Sequence, residues 1–182
     1  MPVVASVDTN ATACTPAATY DPTSPNTTFA FTEGTCVATI SDADDTHVVR
    51  GEAKITTAAS AGNYAACDPT RDLLELATDY ASPPKVFGVW AAATCTLQLV
   101  PAVGSQVTLA EMAAALNKVA FRSLDPKNPT NYVTSGDALK RQLAFTVTDA
   151  SATGLATQAA TSAAKNVLLT ITQVDGRFAA LV

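Results

Sequence analysis

The feature that most constrains this chain is a repeated alternation of apolar and polar residues between positions 139 and 174. Leu143, Phe145 and Val147 fall on one side while Gln142, Thr146 and Thr148 fall on the other. Val167, Leu169 and Ile171 repeat the pattern against Asn166, Thr170 and Thr172. A period of two belongs to strands buried on one face only. Between them, the Asp149-Ala-Ser-Ala-Thr-Gly154 stretch and the Ala/Thr/Ser run to Ala164 lack an apolar face. The chain is therefore expected to turn there and return antiparallel. Everything upstream has to supply strands that pack on this pair.

Composition sets the limits. The 182 residues suit one large domain or two small ones, and one is expected. Aromatics are 6% and much of the 48% hydrophobic content is alanine, so the core is expected to be many small contacts around a few large side chains. Charged residues make up 15% with a net charge of −5, and the only adjacent basic residues are Lys140 and Arg141. Such a chain cannot neutralise a phosphate backbone, which argues against a nucleic-acid partner. No apolar run reaches the roughly 18 residues of a membrane span. The first residues lack the basic and apolar regions of a signal peptide, so a secreted protein is expected here in its mature form.

Cys14, Cys36, Cys67 and Cys95 form no C-x-x-C pair and stand beside a single histidine, His47, which makes zinc a poor explanation. Disulfides explain them better than buried free thiols do. Of the three connectivities, Cys14–Cys36 and Cys67–Cys95 are expected, because each closes a local loop between segments read as neighbouring strands. Asn10-Ala-Thr and Asn26-Thr-Thr are N-glycosylation sequons, in keeping with an oxidising compartment; Asn128-Pro-Thr is disqualified by its proline.

Residues 1–7 read as an apolar strand, and 11–28 as a Pro/Thr-rich segment tied down by Cys14. Strands are expected at 27–31, 36–40, 73–77, 85–90, 95–100 and 119–123. From 47 to 57, Val49, Gly51, Ala53 and Ile55 are placed inward, with Arg50, Glu52 and Lys54 outward. His47 has no nucleophile to serve and reads as a surface residue. Trp90, beside strand residues, reads as core rather than as a sugar platform. The acidic run at 41–45 is either a solvated turn or a calcium site, since closely spaced carboxylates supply hard oxygens. Thr108-Leu-Ala-Glu111 is a capping box, and Leu109, Met112, Ala113 and Leu116 follow at helical spacing. One short helix, about 108–117, is expected to cover a sheet edge or end.

Several pieces between about 28 and 174 are familiar in their order. They are Ala38-Thr-Ile-Ser-Asp-Ala-Asp44, the Thr96-Leu-Gln-Leu strand, Ala115-Leu-Asn-Lys-Val-Ala-Phe121, Arg141-Gln-Leu-Ala-Phe-Thr-Val-Thr-Asp149 and the strand at 167–174. Together they resemble the cadherin-like, immunoglobulin-type repeats of large secreted surface proteins. The resemblance implies an all-β, antiparallel β-sandwich. It also implies a calcium set of Asp42, Asp44, Asp45, Asp149 and Asp175, incomplete because Asp175-Gly stands where those repeats end in Asn-Asp.

The ends depart from that pattern. Residues 1–10 and 177–182 flank a domain at 11–176, and Pro2, Val3, Val4, Val7, Phe178, Leu181 and Val182 are too apolar for free tails. Donation of the N-terminal strand to a neighbouring copy would give head-to-tail, non-closing assembly. The expected function is thus an extracellular, secreted or cell-surface, glycosylated filament subunit that partners itself and carries no catalysis. The alternative is a calcium- or carbohydrate-binding adhesion module, for which Tyr80, Phe87 and Trp90 would need to form an exposed platform. No cofactor is required beyond that calcium. An enzyme is disfavoured by the lack of G-x-S-x-G, of a Ser-His-Asp order that His47 could complete, and of a phosphate-binding glycine loop.

Overall fold

The computed structural model describes residues 6–7, 27–28, 38–42, 45–61, 63–77, 85–125, 130, 136–149 and 161–171. Their architecture is all-β and antiparallel, with one α-helix among them. The strands are β1 (Ser6–Val7), β2 (Thr27–Thr28), β3 (Ile40–Ser41), β4 (His47–Ile55), β5 (Asp72–Leu76), β6 (Val86–Ala91), β7 (Thr96–Pro101), β8 (Val107–Thr108), β9 (Val119–Ser123), β10 (Lys140–Asp149) and β11 (Lys165–Thr170). Helix α1 spans Leu109–Leu116.

The larger sheet runs β11-β10-β4-β7-β6, with β8 continuing alongside the start of β4. The smaller runs β2-β9-β5, and β1 pairs β3 in a separate ribbon. The alternation that opened the sequence reading is the centre of the large sheet. Leu143 lies opposite both Val167 of β11 and Ile55 of β4, and Phe145 opposite Ala53. Leu143, Phe145, Val147, Leu169 and Ile171 are buried with Leu74, Val119 and Phe121 of the small sheet in one apolar cluster. No helix of the described residues is long and apolar enough to cross a membrane.

One strand departs from its expected phase. Gly51, Ala53 and Ile55 face the core as anticipated, but Val49 is 46% exposed and Val48 is buried in its place. Thr148 pairs with Arg50 while the next residue, Asp149, pairs with Val48. Val49 is thus the extra residue of a β-bulge, which shifts the side-chain phase by one. Sequence alternation alone cannot locate such an insertion, because Val48 and Val49 are equally apolar.

Helix α1 forms for the reason its sequence gave. Thr108 Oγ1 accepts from the Glu111 amide at 3.2 Å, and Glu111 Oε2 accepts from the Thr108 amide at 3.0 Å. Met112 is fully buried over Gly51, where a Cβ would come within 2.7 Å of its Sδ. At the far end of α1, the Asn117 side chain accepts from the Ala38 amide at 2.7 Å and donates to the Ala38 carbonyl at 3.0 Å. The helix therefore seals one end of the core and holds the approach to β3.

Cys67 and Cys95 are joined by a disulfide, as expected. Cys67 donates its amide to the Thr56 carbonyl, and Ile55 donates to the Cys95 carbonyl, so the bridge straddles the end of β4. The loop it closes, with a sequence separation of 28, is worth about 3–4 kcal/mol in the chain-entropy model. Cys95 has a φ of 51°, the left-handed conformation that lets the turn at 92–94 enter β7.

The link between the two sheets escaped the sequence reading. Arg141 of β10 donates from Nε to Asp72 Oδ2 of β5 at 2.7 Å, with the side chains 5% and 0% exposed. Nη2 donates to Asp72 Oδ1 at 3.4 Å, and Nη1 to the carbonyls of Ala138, at 2.9 Å, and Lys140, at 3.1 Å. The Asp68 amide donates to Asp72 Oδ2. Burial pushes the Asp72 carboxyl above its ordinary value, and the guanidinium opposes that push.

Two consequences are measurable. Replacing Arg141 by Met strands a buried carboxylate and is expected to lower unfolding stability by about 3–5 kcal/mol, whereas Arg141→Met with Asp72→Leu should recover most of it. Chemical denaturation checks both, and a double variant as weak as the single would refute the pairing. Separately, Glu111 is lowered from 4.5 to about 2, chiefly by the hydrogen bond from Lys85, then by the Thr108 amide. Its contribution is present above pH 4.5 and is lost as pH falls toward 2. Glu111→Gln should therefore melt below the wild type at neutral pH, and the two melting curves should converge near pH 2.

Candidate metal centre

β10 presents an inward row with a charge at each end: Arg141, Leu143, Phe145, Val147 and Asp149 are all buried. Arg141 is matched by Asp72. At the other end Asp149, 2% exposed, lies beside the bulge of β4. There it meets Asp42, which follows β3, and Asp45, which precedes β4. One carboxylate oxygen from each lies within 4.8 Å of the others. Asp42 and Asp45 are half-buried.

The sequence causes of this meeting are local. Asn117 fixes the backbone of Ala38, β3 carries Asp42 out of Ile40–Ser41, and β8 holds the start of β4 by pairing His47 with Thr108 and Val48 with Val107. The turn carrying Asp45 is thereby set against the end of β10. Three ionised carboxylates this close repel one another, by about 3.5 kcal/mol or more per pair at an effective dielectric constant of 20. A hard divalent cation reverses the sign of that term. Calcium takes 6–8 oxygens at 2.3–2.6 Å, so three carboxylates would leave positions for backbone carbonyls and water.

The structure thus brings together Asp42, Asp45 and Asp149 of the five acidic residues singled out in the sequence. Asp44 and Asp175 lie outside the described residues, as do Cys14, Cys36, Asn10 and Asn26. So do Pro2, Val3, Val4, Phe178, Leu181 and Val182; Val7 is described as part of β1, paired with Ile40. His47 is half-buried at the start of β4, its Nδ1 2.9 Å from Thr46 Oγ1.

The aromatic platform does not assemble. Phe87 and Trp90 are three residues apart on β6 and so face opposite sides of the sheet. Phe87 is 47% exposed, while Trp90 packs against the core as expected of it. Tyr80 lies outside the described residues. Two rings on opposite faces cannot stack on one sugar.

Compared with protein-family models, curated proteins and solved structures, the chain matches none. The functional reading accordingly rests on the residues themselves.

Proposed function

We propose that this chain is a non-catalytic, cadherin-like or immunoglobulin-type β-sandwich module of an extracellular surface protein, and that it binds calcium through Asp42, Asp45 and Asp149. The observation that carries the reading is the convergence of three carboxylates from separate segments at one end of the two-sheet core. Asp149, 2% exposed, would bring a carboxylate oxygen to the ion from the buried end of β10. The Cys67–Cys95 disulfide fits an oxidising, extracellular location. Calcium would join the β3–β4 turn to the end of β10 and stiffen that end of the domain.

Ion binding to the folded state raises its stability by mass action, about 2.7 kcal/mol at a hundredfold excess over Kd. The melting temperature is expected to rise by several degrees between chelator and millimolar calcium, and the rise should vanish in Asp149→Asn. The same melting temperature with and without calcium would refute the site.

A second reading, a filament subunit built by strand donation, draws on the N-terminal ribbon. Ser6–Val7 pairs with Ile40–Ser41 apart from both larger sheets, so a neighbouring copy's strand could occupy that place with little disturbance of the core. Removing residues 1–7 should then leave a folded monomer by electron microscopy and light scattering. Filaments formed equally well without those residues would rule donation out.

A further inference from the structure

The exposed apolar side chains of this domain are not scattered. Val103 is fully exposed, and Val49, Phe87 and Val89 are about half exposed. The register gathers them at one corner of the large sheet. Phe87 lies opposite Val100, one residue before the end of β7, and Val89 follows Phe87 on the same face of β6. Beyond the turn at 102–105 the chain returns as β8, where Val107 pairs with Val48, the residue before Val49. Leu124 is the fifth large apolar residue exposed among the described ones, and it lies elsewhere. Its amide donates to the carbonyl of Arg71, next to Asp72 and so at the Arg141 end of β10.

Between β7 and β8, Ala102-Val-Gly-Ser-Gln106 carries no charge. Ser105 donates its amide to the Ala102 carbonyl at 2.9 Å, and Gly104 has a φ of 77°. Residues 102–105 therefore make a β-turn with glycine at the position that needs a positive φ. The Ala102 amide pins this turn to β6 by donating to the Lys85 carbonyl at 2.8 Å. Val103 stands at the apex with its whole side chain in water, where turns ordinarily carry Asn, Asp, Ser or Pro. A projecting tip of this kind encloses nothing; it suits insertion into a fluid surface. Two cations flank it, Arg50 after the bulge and Lys85 before β6, each tied to a carboxylate, Glu52 and Glu111 respectively. The acidic triad is at the same end, because Asp149 pairs with Val48.

We propose that this corner docks on an anionic phospholipid bilayer. Val103 enters the boundary between headgroups and acyl chains, Val49 and Phe87 follow at its rim, and calcium joins Asp42, Asp45 and Asp149 to lipid phosphate. The proposal deepens the calcium reading and rests on it. Without the ion, three carboxylates and a net charge of −5 oppose approach to a negative surface. With it, most of that local charge is cancelled, and the oxygen positions that three carboxylates leave on calcium suit phosphate oxygens. The apolar tip then adds buried area that no electrostatic contact supplies. A bilayer needs no shape made to match the tip. It also lets Arg50 and Lys85 keep their charged heads at headgroup level while their stems cover apolar surface. One valine and two half-exposed side chains make for weak, reversible binding, so the ion decides it.

Co-sedimentation of the full chain with vesicles of equal parts phosphatidylcholine and phosphatidylserine, in millimolar calcium or in chelator, is the test. Binding is expected in calcium and not in chelator, and vesicles of phosphatidylcholine alone should bind little. Val103→Asn should weaken binding about tenfold. Val103→Trp should strengthen it, with its emission shifting to the blue on vesicles, and Leu124→Asn, at the far end, should leave it unchanged. None of the three should alter the calcium-induced rise in melting temperature measured without lipid, which reports the ion site alone. That rise without vesicle binding, binding that persists in chelator, or binding untouched by Val103→Asn would overturn the proposal and leave the ion site standing. Loss of both the rise and the binding in the wild type would overturn the two together. Self-association without vesicles that Val103→Asn abolishes would overturn it as well, by assigning the corner to a second copy.

Discussion

The contact on which the architecture depends is the buried pair of Arg141 and Asp72. Apolar side chains from both sheets fill the core, but hydrophobic burial is non-directional and would tolerate sliding of one sheet over the other. A guanidinium and a carboxylate, 5% and 0% exposed, do not tolerate it. Separating them in the interior strands two charges, so β10 and β5 are held at one relative position. The backbone extends the constraint: Asp72 accepts from the Asp68 amide, and Arg141 donates to carbonyls at the start of its own strand. The Cys67–Cys95 bridge lies at the same end of β4 that this network braces.

The opposite end of β10 is built on another principle. There the inward row finishes on Asp149, and the carboxylates of Asp42 and Asp45 lie beside it. The bulge at Val49 adjusts β4 at that point, since without the extra residue Val48 and Asp149 could not be neighbours in the ladder while Gly51 and Val147 also are. One strand thus carries an ion pair with the other sheet at one end and a group of three carboxylates at the other. The first fixes sheet against sheet, and the second brings β3, the start of β4 and the end of β10 to one place.

How much of this was legible in the sequence depended on the range of the interaction. The β10–β11 pair, β9 and the α1 capping box were readable because their causes are local: period-two alternation in the strands, and Thr108 and Glu111 three residues apart. Cys67–Cys95 followed from loop length. Asp42, Asp45 and Asp149 were singled out together through the resemblance to cadherin-like repeats, and their convergence is a matter of β3, β4 and β10 arriving at one place. The bulge was invisible because either of two adjacent valines could have been the inward one. Arg141 was read only as half of a basic pair with Lys140, because a partner 69 positions away leaves no mark in a local pattern. The β8 pairing with β4 was missed for a similar reason: two residues that cap a helix carry too little alternation to announce a strand.

The two edges of the large sheet show that the exposure of β6 is not a general property of the fold. β11 sets Asn166, Leu168 and Thr170 on its outer face, so its apolar residue there is flanked on both sides by polar ones. β6 sets Phe87 and Val89 in the equivalent positions. A chain with net charge −5 has ample polar material to blunt either edge. Apolar side chains at the exposed positions of an edge strand raise the risk of non-specific association, and they are stabilising only when something covers them.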